Sequence, residues 1–178
     1  MKPTLMIAAV TFVALTTPTL AAPPITTETV NITNLSTQNV GAAALLRTAQ
    51  SASFRVNTTM LESGNAYTIW VAAFNKPEYC IDECDGSDIT AADGSIFFGS
   101  AFVTGEGGAA NVEFGVQANA LPSGTFIASG HSKGINSGNG FNVELHLIIA
   151  DHGPTSEVDD FATALSTPGP GVQFATFK

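Results

Sequence analysis

Positive charge is scarce in this chain: six Lys and Arg stand against 15 Asp and Glu, for a net charge of -9. That balance repels nucleic acid and anionic lipid surfaces, so neither is an expected partner. Long apolar runs are missing too. The one extended apolar stretch, residues 5–15, is too short to span a bilayer core, and no later run is longer, so no membrane insertion is expected. Lys, Arg and Glu, the residues that build surface helices, are sparse beside 17 Gly, 12 Phe and many Thr, Ser and Val. This mixture favours strands and tight turns. Motifs for hydrolysis and phosphate chemistry are absent as well: there is no Gly-x-Ser-x-Gly elbow, no zinc-protease helix signature and no phosphate-binding Gly loop. Three His and many Ser leave a Ser/His/Asp triad open, with no spacing that points to one.

What is present begins with an address. Lys2 precedes the apolar stretch 5–15, and Thr19-Leu20-Ala21-Ala22 supplies small residues at a cleavage position. Residues 1–21 therefore read as a secretory signal peptide, and the mature chain as periplasmic or extracellular. No Cys stands at the cleavage point to carry a lipid. About 156 residues remain, the size of one domain with a single core. Losing Lys2 leaves five basic and 15 acidic residues, a net charge of about -10.

Cys80 and Cys84 are the only cysteines. In an exported chain, a pair three residues apart reads first as a disulfide that fixes a loop, stabilising by about 2 kcal/mol. A metal pair would need further clustered ligands, and a redox pair more usually has two intervening residues.

Period-two alternation marks the strands. A loose arm over residues 22–29 precedes an edge strand at 28–35, and 43–47 adds a short strand. Residues 52–60 place Phe54, Val56, Thr58 and Met60 on one side. Residues 66–74 are apolar on both faces, as in the middle of a sheet. Residues 95–104 and 109–117 flank Gly105-Glu106-Gly107-Gly108 and read as a hairpin. Strands follow at 125–129 and 142–150, where Val143, Leu145, Leu147 and Ile149 share the core face and Glu144, His146 and Ile148 the other. Val158, Phe161, Ala162 and Leu165 predict one short C-terminal helix, and 172–177 a last strand. Seven or eight such strands predict an all-β, antiparallel β-sandwich, with a small barrel as the other closure.

Within this pattern Leu61, Gly64, Tyr67, Ile69 and Val71 resemble the tyrosine corner of fibronectin type III and immunoglobulin-like domains. The resemblance implies a Tyr67 hydroxyl bonded to the upstream backbone and a Leu61 plug in the core. It spans about a dozen residues, and half the mature chain follows it, so only the local geometry carries over. The segments Tyr67-Thr68-Ile69-Trp70, Phe74-Asn75-Lys76-Pro77-Glu78, Cys80, Cys84, Glu144-x-His146-Leu147 and His152-Gly153-Pro154 resemble a group of uncharacterised secreted bacterial proteins. That resemblance implies export, the disulfide and a β fold, and no activity.

Two sets of residues carry ligand chemistry. Glu144 and His146 lie about 7 Å apart along one face of their strand, and His152, or His131 from elsewhere, would complete a set for zinc or copper. A straight strand would put His152 some 20 Å away, so this set needs a bend at Asp151. Asp82, Asp85 and Asp88 beside Gly86 would supply oxygens to calcium; a solvated acidic loop is the other reading. Asn31, Asn34 and Asn57 satisfy the N-glycosylation rule. Together these features read as an exported, non-catalytic binding or structural module whose partner is an envelope or extracellular protein or a glycan. The alternative is a metal-binding protein or metal-dependent enzyme built on Glu144 and His146.

Overall fold

The computed structural model describes residues 24–120, 126–129, 134–157, 167 and 169–178. The expected signal segment, His131 and the expected helix beyond residue 157 lie outside them. Among the described residues there is no α-helix, only 3-10 turns at Pro77–Tyr79 and Thr155–Glu157. No helix there is long and apolar enough to cross a membrane.

Nine antiparallel strands follow the alternation of the sequence: β1 Thr26–Asn34, β2 Asn39–Thr48, β3 Ser51–Thr58, β4 Asn65–Phe74, β5 Gly94–Val103, β6 Ala110–Gln117, β7 Phe126–Ser129, β8 Glu144–Pro154 and β9 Gly171–Phe177. They form one sheet in the order β6-β3-β2-β1-β9-β8-β4-β5-β7. The all-β antiparallel class is as expected. The two stacked sheets of an immunoglobulin-like sandwich are replaced by one sheet curled around its core, with β5 and β6 meeting at a seam. There a Cβ added to Gly99 would lie 2.7 Å from the Phe114 ring.

The seam corrects the expected β5–β6 hairpin. The glycine turn forms, with φ of 88° at Gly107 and 62° at Gly108, but β6 pairs with β3 along its whole length while β5 pairs with β4 and β7. Turn chemistry reverses the chain; burial decides which strand it then joins. Similarly, β1 starts at Thr26, inside the supposed loose arm, and pairs with both β2 and β9. It is not an edge strand. Met60 leaves the core face of β3 to stand 66% exposed with φ of 60°.

The core inside the curl is built from every second residue: Ala43 and Leu45 from β2, Phe54 and Val56 from β3, Ile69 and Val71 from β4, Leu145 and Leu147 from β8, and Phe177 from β9. Each large side chain buried this way contributes roughly 1.5–3 kcal/mol. All ten residues of β4 are buried, as their two-sided apolarity predicts, between β5 and β8. Its outer face supports a second, smaller cluster, in which Ala72 and Phe74 meet Cys84, Ile89 and Ala92. The Cys80–Cys84 disulfide is formed and holds the loop that covers this face. Asn75 anchors the same loop. Its amide donates to the Asp93 and Gly134 carbonyls at 2.9 and 2.8 Å, and its carbonyl oxygen accepts the Asn136 N–H at 2.8 Å.

The turn from Leu61 to Tyr67 has the local geometry expected of it. Leu61 is buried in the core, Gly64 turns the chain at φ 76°, and the Glu62 N–H donates to the Tyr67 hydroxyl at 2.9 Å.

Candidate functional site

Glu144 and His146 share the outer face of β8 and touch: Glu144 Oε1 lies 2.7 Å from His146 Nε2. Glu144 is only 8% exposed, and the His146 ring packs 5.1 Å from the ring of Phe74, a member of the outer cluster that includes Cys84. His152 does not join them. β8 runs on through His152 to Pro154, and six steps along the strand put the two imidazoles about 20 Å apart. His152 Nε2 instead sits 2.8 Å from Thr68 Oγ1, whose oxygen accepts the Trp70 indole N–H at 2.9 Å. Thr68 thus links the indole of Trp70 to the imidazole of His152, and which of Oγ1 and Nε2 donates follows the imidazole tautomer. Burial holds His152 below its ordinary pKa, against the raising effect of the Asp151 charge.

The acidic loop does not assemble a calcium set either. Asp85 Oδ1 accepts the Ser87 N–H and hydroxyl, both at 2.7 Å, and these bonds hold its carboxyl below the usual range. Asp88 is buried and accepts the Asp85 N–H at 3.1 Å, while Asp82 is exposed. Among the described residues no group of three or more His, Cys, Asp or Glu is placed to hold a metal ion.

A third polar cluster carries no motif in the sequence. A cavity of about 170 Å³ is lined by Asn34, Glu62, Tyr67, Asp151 and Gln173 among others. The Asp151 carboxylate accepts the Asn65 amide at 3.0 and 3.1 Å, the Tyr67 hydroxyl at 3.3 Å and the Gly153 N–H at 2.8 Å. Gln173 is equally occupied, accepting the Thr58 hydroxyl and donating to the Thr59 carbonyl at 2.8 Å. Groups so fully bonded have little left for a ligand. They clasp β4, β8, β9 and the chain after β3 together.

Three side-chain amides with no hydrogen bond to a described residue, those of Asn31, Asn57 and Asn111, share a concave setting on the outer face of β1, β2, β3 and β6. A depression of about 780 Å³ is lined there by Asn31, Asn39, Gly41, Ala42, Asn57 and Asn111, with Thr and Ala neighbours. Register explains the arrangement: Asn31 is opposite Ala42, Ala42 opposite Asn57, and Asn57 opposite Asn111, so one straight row crosses four strands. Gly41 lets the backbones of β2 and β3 close tightly beside the row. A Cβ there would stand 2.2 Å from the Asn57 carbonyl oxygen. In the next row Arg55 Nε meets Glu113 Oε1 at 2.6 Å, cancelling both charges. Asn31 and Asn57 also stand in glycosylation motifs, but only the strand register shows that they face one depression. Comparison with protein-family models and with curated proteins gives no match.

Proposed function

We propose that the protein is an exported, non-catalytic β-module of the envelope or extracellular space that holds its partner on the outer face of β1, β2, β3 and β6. It would work as secreted immunoglobulin-like binding domains do, by presenting a strand surface on a rigid scaffold. One observation carries the reading. The 780 Å³ depression on this face has no charged side chain in its lining, on a chain of net charge -9. The disulfide supports an oxidising compartment. The test is retention of purified mature protein on isolated envelope of the producing cell, compared with Ala42→Trp, which fills the depression. Retention lost in the variant supports the proposal; retention unchanged by it, or turnover of a substrate that depends on a named side chain, overturns it.

The 2.7 Å contact between Glu144 and His146 favours a second reading, in which these two bind zinc or copper with ligands from outside the described set. Metal analysis with and without His146→Ala decides it. No bound metal, and no change in melting temperature on adding zinc, copper or calcium, removes this reading.

A further inference from the structure

We infer that the row Asn31, Ala42, Asn57 and Asn111 is a subsite for a neutral glycan, a chain of hydroxyl-bearing sugar rings laid across the strands; this rests on the binding-module reading above. The amides of Asn31, Asn57 and Asn111 make no hydrogen bond to any described residue, and all three residues are exposed. An amide offers two N–H donors and a carbonyl acceptor, the complement of neighbouring hydroxyls that each donate and accept.

Spacing adds a second argument. Asn57 and Asn111 are on adjacent strands, about 5 Å apart, and Asn31 is two strands from Asn57, about 10 Å. The first pair suits two hydroxyls of one ring. The third amide reaches the next ring along the row. Between them the Ala42 methyl, with Ala109 nearby, gives a low floor against which the C–H face of a ring can lie.

Charge completes the selection. A cationic partner would be drawn to the acidic residues elsewhere, and an anionic one would be repelled by the chain as a whole. A neutral ligand meets no such penalty here, because the lining is uncharged and Arg55 and Glu113 neutralise each other beside it.

The experiment titrates mature protein with cellotetraose, maltotetraose, xylotetraose and chitotetraose, and with tetragalacturonate as the anionic control, following side-chain amide signals by ¹H–¹⁵N NMR. At least one neutral tetraose should shift the Asn31, Asn57 and Asn111 amides, and tetragalacturonate should not. The double variant Asn57→Ala, Asn111→Ala should bind on the order of tenfold more weakly, the loss of about one net hydrogen bond, with its melting temperature unchanged. No shift with any neutral tetraose, or a shift that the double variant leaves intact, overturns the inference.

Envelope retention separates this failure from that of the underlying reading. Retention abolished by Ala42→Trp but not competed by a tetraose means that the face holds something other than a glycan. A concentration-dependent dimer abolished by Ala42→Trp puts a second copy there and overturns the glycan. Retention indifferent to Ala42→Trp overturns both. Retention competed by a tetraose identifies an envelope polysaccharide as the source; tetraose binding without retention identifies a soluble oligosaccharide.

Discussion

The Tyr67 hydroxyl accepts the Glu62 N–H at 2.9 Å and donates to Asp151 Oδ2 at 3.3 Å, so one buried ring ties the turn before β4 to the far part of β8. Tyr67→Phe keeps the ring and removes both bonds. Loss of about 1–2 kcal/mol is expected, read as a lower denaturant midpoint with an unchanged slope. Burial, reinforced by the Asp151 charge and opposed by the Glu62 N–H, pushes the Tyr67 hydroxyl up to about 12 from an ordinary 10. The folded state then holds a proton that the unfolded state has lost, so stability falls as pH rises through the window from 10 to 12. That decline should be shallower in Tyr67→Phe.

His152 gives the opposite slope. Burial lowers its pKa below the ordinary 6.5, so on acidification the unfolded chain takes up a proton that the folded chain resists. Stability is full above 6.5 and is lost as pH falls through the folded value. The melting temperature should drop over that range by a smaller amount in His152→Gln. Imidazole ¹⁵N shifts should show one neutral tautomer favoured by the bond to Thr68, and Thr68→Val should weaken that preference.

Reduction of Cys80–Cys84 should loosen a loop and leave the sheet standing. The bridge closes a small loop, worth about 2 kcal/mol. Cys84 is buried against the outer face of β4, in a cluster separate from the main core. Reduced protein should melt a few degrees lower and be cut first around Ile81, which is 91% exposed. A complete loss of β signal in far-ultraviolet spectra would contradict this division.

Arg47 is a buried cation inside the curl. It donates to the Val143 and Gly140 carbonyls and meets Glu28 Oε2 at 3.4 Å; burial lowers its pKa, and Glu28 opposes the effect. Arg47→Met keeps the stem and leaves those acceptors without their donor. The expected cost is about 2–4 kcal/mol, measured by chemical denaturation, and the Arg55→Met control on the exposed pair should cost under 1 kcal/mol.

Alternation alone locates most of β3, β4 and β8 and the inward positions of the core, because one face of each strand must be dry. The turn into β4 is equally local: Leu61, Gly64 and Tyr67 carry their geometry within seven positions. Pairing is not local. The Gly107-Gly108 turn announces a reversal and says nothing of β6 choosing β3. Nor does the sequence of β8 show that Glu144 is buried where it meets His146, or that Thr68 would claim His152. Asn31, Asn57 and Asn111 are three ordinary polar positions until register aligns them across four strands.

Strand β9 enters the sheet between β1 and β8, pairing Phe174 with Thr33 on one side and Ile148 on the other. A nascent chain therefore cannot complete its sheet until residues 171–177 have emerged, and closure must wait on contacts of very long sequence separation, which form slowly. Until then β1 and β8 each present a bare edge. A keystone placed so late keeps the earlier strands unlocked until those seven residues arrive.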